Sequence, residues 1–306
     1  LPYYGRLPDY FNHFLRSLKG HGLDVLFVSD LSVSRHPDNF KPIKLSFEEC
    51  RRLVGVKIES SALLDSPRRL CDFKPMYGKI FEDYLKGYDY WAFGDCDLVY
   101  GSALDKMLDE CLQSDCDVFS LHEKYCSGPL CLMKNCERVN NLYREADNWL
   151  EVCRTPGSHC VAFDELHGEW HEKLKAGTMT IEDCRRKADS FSAVVLRAEG
   201  LKLDFQERIE EGTLDQGEVV AMHSDGSLTL NGREIPVFHY VGVKMRGYFK
   251  VITSAYDEVC EYEIDDAGFY VTPFQRKFHR LVKSVRKLTA AVRSLRAHGL
   301  GRLLSN

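Results

Sequence analysis

The feature that most constrains the fold is an alternation over the first 120 or so residues between stretches of helical period and short apolar runs that end in polar side chains. Tyr10, Phe11, Phe14, Leu15 and Leu18 recur at helical spacing across Leu7 to Leu18, Pro8 suits the first turn, and Gly20 and Gly22 end it. Asp24-Val25-Leu26-Phe27-Val28 then reads as a short buried strand running into Ser29-Asp30. Helices are predicted over Phe47 to Val54, Lys74 to Leu85 and Ala103 to Leu112, and strands over Tyr88 to Phe93 and Asp117 to Leu121. In the segment 74–85, Tyr77, Ile80, Phe81, Tyr84 and Leu85 share one face. Strands alternating with helices predict an α/β fold with a mixed, mainly parallel sheet flanked by helices.

Beyond Arg138 the pattern loosens. Residues 138–151 and 167–189 read as polar helices, and 217–241 as short strands around turns at Asp225-Gly226 and Asn231-Gly232, a hairpin or meander laid on the main domain. This predicts one domain over residues 1–250 and an extension over 251–306. No run of eighteen apolar residues predicts a membrane span. Leu1-Pro2-Tyr3-Tyr4 lacks the basic and apolar regions of a signal peptide, so a cytoplasmic protein is expected. None of the 12 cysteines forms a C-x-x-C pair, and many lie in apolar stretches, as small buried hydrophobes with reduced thiols would.

The net charge of −5 hides an asymmetry. From Arg276 onward there are nine Lys/Arg and no Asp/Glu, and the other 32 basic residues face all 46 acidic ones. Within 276–298, Phe278, Leu281, Val282, Val285, Leu288, Val292 and Leu295 keep a 3.6-residue period among basic side chains. A basic amphipathic helix of this kind lies on anionic lipid or packs its stripe on the body. The acidic body disfavours nucleic acid as a partner.

The chemistry centres on Gly94-Asp95-Cys96-Asp97. Two carboxylates at i and i+2 follow a hydrophobic strand, at the edge where open α/β sheets bind ligands. Hard divalent ions such as Mn²⁺ or Mg²⁺ take oxygen ligands and bridge to phosphates, whereas acidic pairs also occur as solvated turns. A second copy, Asp115-Cys116-Asp117, follows a helix and leads into a strand, and reads as a loop. His167 and His171 sit at i and i+4, but Glu169 is at the wrong offset for a zinc hydrolase. Glu182-Asp183, among Arg185, Arg186 and Lys187, reads as a solvated face.

Cys71-Asp72-Phe73-Lys74-Pro75-Met76-Tyr77-Gly78, the aromatic strand after it and Gly94-Asp95-Cys96-Asp97-Leu98-Val99-Tyr100-Gly101 together resemble bacterial polysaccharide-biosynthesis glycosyltransferases of the GT-A fold. The opening Leu1 to Pro8 resembles their first strand-to-helix turn, and the resemblance is clear over roughly residues 1–135. It implies a GT-A-like fold and a hexosyltransferase using a nucleotide-diphosphate sugar, UDP-sugar foremost, with Mn²⁺ or Mg²⁺ bridging the two phosphates. The acceptor it implies is a hydroxyl of a surface glycan of the lipopolysaccharide, O-antigen or capsule type, free or lipid-linked, with the enzyme peripheral on the inner face of the cell membrane.

Residue by residue, Asp95 and Asp97 match the D-x-D, and Asp72 and Lys74 match a position that helps hold the donor. Asp30 resembles a contact to the base, against a plain turn aspartate. Phe238-His239-Tyr240-Val241-Gly242-Val243-Lys244 resembles a His-aromatic-x-Gly-x-Lys segment in which the histidine is a further metal ligand and the lysine meets the diphosphate. Gly128 resembles a glycine that lets backbone approach the donor, against a Gly-Pro turn entering a buried strand. Asp164 and Glu165 stand where such enzymes carry the carboxylate that takes the acceptor proton or orients the sugar. Two other readings remain: a nucleotidyltransferase, for which Gly5-Arg6 is only a scrap of the phosphate loop, and a non-catalytic membrane-associated scaffold.

Overall fold

The computed structural model describes residues 1–166, 168–186, 190–212, 214–215, 217–245, 250–251, 261–271 and positions 274, 275, 277, 278, 281 and 284. The fold is mixed α/β, and its described strands form four sheets instead of one. Val25–Ser29 and Phe40–Lys44 pair in parallel, and Pro2 lies alongside Val28. Tyr90–Gly94, Leu130–Lys134, Val118–Ser120 and Leu203–Phe205 lie side by side in that order. Leu98–Tyr100, Val237–His239 and Ile209–Glu211 form a three-stranded sheet. The fourth is a six-stranded mixed sheet in which the meander Val220–Met222, Leu228–Leu230 and Arg233–Glu234 is joined by Tyr262–Asp265 and Gly268–Tyr270.

Seven of the eleven strand pairings are antiparallel, which corrects the expected mainly parallel sheet. The reason is local. Leu130–Lys134 follows Val118–Ser120 after a loop too short for a crossover helix, so the chain must return antiparallel, and it then inserts beside Tyr90–Gly94. Alternation along these strands divides their side chains between two apolar layers. Trp91, Phe93, Cys131 and Met133 enter one core with Phe73, Met76 and Tyr77. Leu130 and Leu132 enter the other with Phe11, Phe14, Leu104 and Phe119.

Helices Phe11–Ser17, Phe47–Lys57 and Ala103–Ser114 stand where the periodicity puts them. Phe47–Lys57 opens on a capping box between Ser46 and Glu49. The segment 74–85 is different. A 3₁₀ run, Pro67–Met76, passes into a single α-turn, Tyr77–Ile80. Pro75 has no N–H to donate and disfavours α geometry at Lys74, so no long helix propagates. The apolar face survives, since Tyr77, Ile80, Phe81 and Leu85 are buried while Tyr84 is exposed. Gly78 is required here, because a Cβ would lie 2.5 Å from the Trp91 ring.

The meander turns as its sequence requires. Asn231 and Gly232 both take positive φ, 52° and 83°, in a two-residue connection between Leu228–Leu230 and Arg233–Glu234. Its sheet also takes in Tyr262–Asp265 and Gly268–Tyr270, and Tyr262, Ile264 and Phe269 join the apolar cluster of Val220 and Leu228. Eight of the eleven described cysteines are buried, and all eleven are free thiols. An apolar cavity of about 600 Å³ lies between Val25–Ser29 and Tyr90–Gly94, with Asp95 at its rim. Among the described residues no helix is long and apolar enough to cross a membrane. Most of the basic tail lies outside the described residues. Positions 277, 278, 281 and 284 within it, and 274 and 275 just before it, are helical, and Phe274, Phe278 and Leu281 are exposed.

Candidate functional site

Strand Tyr90–Gly94 delivers Asp95 to a turn held by its own backbone N–H, which donates to the Pro129 carbonyl at 3.0 Å. Cys96 points into the core, and the flanking Asp95 and Asp97 share the opposite side. The next strand, Leu98–Tyr100, pairs with Val237–His239, which places His239 opposite Leu98 and next to Asp97. On its other side Val237–His239 runs parallel to Ile209–Glu211, with Glu211 opposite His239. The register thus sets Asp97, His239 and Glu211 in a row across three strands.

The row is hydrogen-bonded throughout. His239 Nε2 lies 3.2 Å from Asp97 Oδ2, and His239 Nδ1 lies 2.9 Å from Glu211 Oε2. Glu211 Oε1 is 3.3 Å from His122 Nε2, and His122 Nδ1 is 3.1 Å from Glu207 Oε1. Lys244, on the helical turn Val241–Lys244, forms an ion pair with Asp97, and its ammonium sits 5.7 Å from the Tyr10 ring centroid. Burial opposes charge on His239, but hydrogen bonds to Asp97 and Glu211 prevail and push its pKa up to about 9. Burial also opposes charge on Asp97, yet His239 and Lys244 hold it well below the ordinary carboxylate range. His122 and His239 do the same for Glu211, against its own burial.

Asp95, Asp97 and His239 each offer a ligand atom, and these atoms lie within 4.8 Å of one another. Two carboxylate oxygens and one imidazole nitrogen suit a divalent ion of the Mn²⁺ or Mg²⁺ type. The donor set therefore fits the expected metal. Lys244 stands against the same carboxylate as an ion-pair partner of Asp97.

The facing wall is tied to the first by Lys74. Its ammonium is 2.9 Å from Asp95 Oδ1 and 3.1 Å from Asp164 Oδ2, and it donates to the Gly128 carbonyl at 2.8 Å. Burial works against charge on Lys74, but Asp95 and Asp164 raise its pKa well above the usual lysine value. Burial and the charge of Asp95 push Asp164 up to about 6, with Lys74 opposing. Burial, Asp164 and Glu211 push Glu165 up to about 7. The Gly128 N–H donates to Glu165 Oε1 at 3.4 Å, and a Cβ there would lie 3.3 Å from both the Asp164 and Glu165 carboxylates. This glycine allows the acid pair its position.

Asp95, Asp97, His239, Lys244, Lys74, Gly128, Asp164 and Glu165 thus come together from five separate stretches of chain. Asp72 does not face them. It is fully buried in an ion pair with Arg69, and it accepts from the Val161 N–H at 2.9 Å, the Phe163 N–H at 3.3 Å and the Cys160 thiol at 3.2 Å. Its role is to hold the loop that leads into Asp164. Asp30 is exposed at the end of Val25–Ser29. Asp115 binds Lys134 at 2.5 Å and Lys202 at 3.5 Å, and Asp117 accepts from the Lys202 N–H, so the second acidic pair fastens a loop. Asp183 caps its helix through Thr180. His167 and the side chain of His171 lie outside the described residues.

Sequence reasoning missed Glu211 and His122. Neither belongs to a local motif, and only the pairing of Ile209–Glu211 with Val237–His239 brings Glu211 to the histidine. Residues 1–272 match the model of a family of unknown function, DUF6625, and the chain belongs to that family. No curated protein matches it.

Proposed function

We propose that this member of the DUF6625 family is a metal-dependent glycosyltransferase of GT-A-like fold. It would move a sugar, a hexose by preference, from a nucleotide-diphosphate sugar to a hydroxyl of a surface glycan. The observation that carries this reading is the convergence of Asp95, Asp97 and His239 at a strand end, with Lys244 on Asp97 and an acid pair of raised pKa facing them. An exposed acidic turn would need neither the histidine nor the second acid pair.

Asp95, Asp97 and His239 would hold a divalent ion, which would supply positive charge to stabilise a leaving diphosphate. Lys244 adds a point charge to the same diphosphate. Lys74 keeps Asp95 and Asp164 together, so that donor side and acceptor side hold a fixed spacing. In transfer, the acceptor oxygen bonds to the anomeric carbon, the bond from that carbon to the diphosphate breaks, and the hydroxyl proton passes to a carboxylate. Glu165, titrating near neutral pH, is the base best matched to that task, with Asp164 beside it.

The basic tail completes the reading. Nine Lys/Arg and exposed Phe278 and Leu281 suit reversible attachment to an anionic membrane, on the cytoplasmic face where a lipid-linked acceptor would wait.

The test is calorimetry with UDP and Mn²⁺. The wild-type chain should bind UDP far more tightly with the metal than without it. Asp97→Asn should keep its circular dichroism spectrum and lose that metal dependence. A folded Asp97→Asn protein with unchanged UDP–Mn²⁺ affinity would refute the assignment.

A further inference from the structure

We infer that Glu211 is a positioning residue that sets the metal affinity of the site by fixing the tautomer and ring orientation of His239, an inference that rests on the metal reading proposed above. It touches neither the metal ligand atoms nor the acid pair. Its effect on the metal runs through the imidazole.

Backbone register makes the placement rigid. Glu211 and His239 are partners across a parallel pair, so their side chains leave the same face of the sheet. The 2.9 Å contact lets Nδ1–H donate to Glu211 Oε2, while Nε2–H donates to Asp97 and is the proton an incoming ion would displace to gain the Nε2 lone pair. A histidine that ligates a metal through one nitrogen needs this division of labour, with the other N–H held by a carboxylate. Glu211 is itself held. Its second oxygen lies 3.3 Å from His122 Nε2, and the far nitrogen of that ring lies 3.1 Å from Glu207. His122 stacks near Tyr125, with centroids 4.6 Å apart, and is 5% exposed, so the ring cannot swing away freely. Gly212, at φ +105°, then ends the strand immediately after Glu211.

A buried histidine between two acids could equally be a structural tie, so affinity and tautomer must be read directly. Free Mn²⁺ measured by electron paramagnetic resonance gives the dissociation constant for wild type, Glu211→Gln, Glu211→Ala and His239→Ala. Loss of the carboxylate should weaken binding about 10- to 100-fold in Glu211→Ala. Glu211→Gln, whose amide oxygen still accepts from Nδ1–H, should lose clearly less. Two-bond ¹H–¹⁵N spectra of the Mg²⁺-loaded protein should show His239 as the Nδ1–H tautomer in wild type and in Glu211→Gln, but a mixture in Glu211→Ala. Wild-type Mn²⁺ affinity in Glu211→Ala, or an unchanged tautomer there, would overturn the inference and leave the metal site standing. Failure of the wild-type chain to bind Mn²⁺ at all would instead overturn the metal reading and the inference with it. Should Glu211→Ala not fold, Glu211→Met, which keeps the bulk but offers no acceptor to Nδ1–H, decides in its place: weakened Mn²⁺ binding with a mixed tautomer supports the role, and full wild-type affinity ends it.

Discussion

At the scale of single residues, Glu165 turns an environment into a measurable. Its carboxyl is raised from 4.5 to about 7 by burial, with Asp164 and Glu211 adding to the effect. Between these values the folded chain holds a proton that the unfolded chain has released, so stability falls as pH rises through the window. The loss is about 3 kcal/mol at most, the free-energy equivalent of moving the carboxyl that far. Asp164, raised to about 6, acts in the same direction. Glu165→Gln should flatten the decline in urea-unfolding free energy between pH 5 and 7 and be the more stable protein at pH 8. Parallel pH profiles for mutant and wild type would show that the burial does not cost what it should. The aspartates of the D-x-D were legible in sequence because a strand end and an i, i+2 spacing are local facts. Glu211 was not, because its partnership with His239 exists only in a register between strands 28 residues apart.

At the scale of elements, the capping box of Phe47–Lys57 and the Asn-Gly turn of the meander could be read directly, since their chemistry lies within a few residues. The 3₁₀ run Pro67–Met76 could not, because its helical hydrophobic spacing outweighed Pro75 in the reading while Pro75 outweighs it in the fold. Antiparallel pairing was illegible for a different reason: alternation says which side chains face a core, not which strand lies alongside. The same 3₁₀ run carries Asp72, which the sequence resemblance assigns to the donor and the fold uses as an anchor. Asp72→Asn should leave Arg69 charged and fully buried, and cost about 3–5 kcal/mol. The check is the urea midpoint, together with protease cleavage near 160–163, which should increase. A mutant with the wild-type midpoint would show that the loop does not depend on this anchor.

At the scale of the whole molecule, charge divides the chain into an acidic body and a basic end. Deleting residues 276–306 should release the protein from anionic vesicles while sparing turnover on a soluble acceptor analogue. Salt should weaken attachment of the intact chain, since the attraction is screened over about 8 Å at physiological ionic strength. Unfolding of the truncated protein would make the tail part of the core, and indifference of the intact chain to anionic vesicles at low salt would end the membrane reading. The three-stranded sheet has a further consequence, in the order of events during synthesis. Asp95 and Asp97 leave the ribosome more than 140 residues before His239, and the strand that orders Asp97 has no partner until Val237–His239 follows. A nascent chain carrying the D-x-D alone has two carboxylates on an unpaired strand, which is too little to hold an ion in competition with water. On the metal reading proposed above, capture would belong to the last stage of folding, after long-range pairing has closed. On that reading, a chain made without metal would still accumulate as a nearly finished fold.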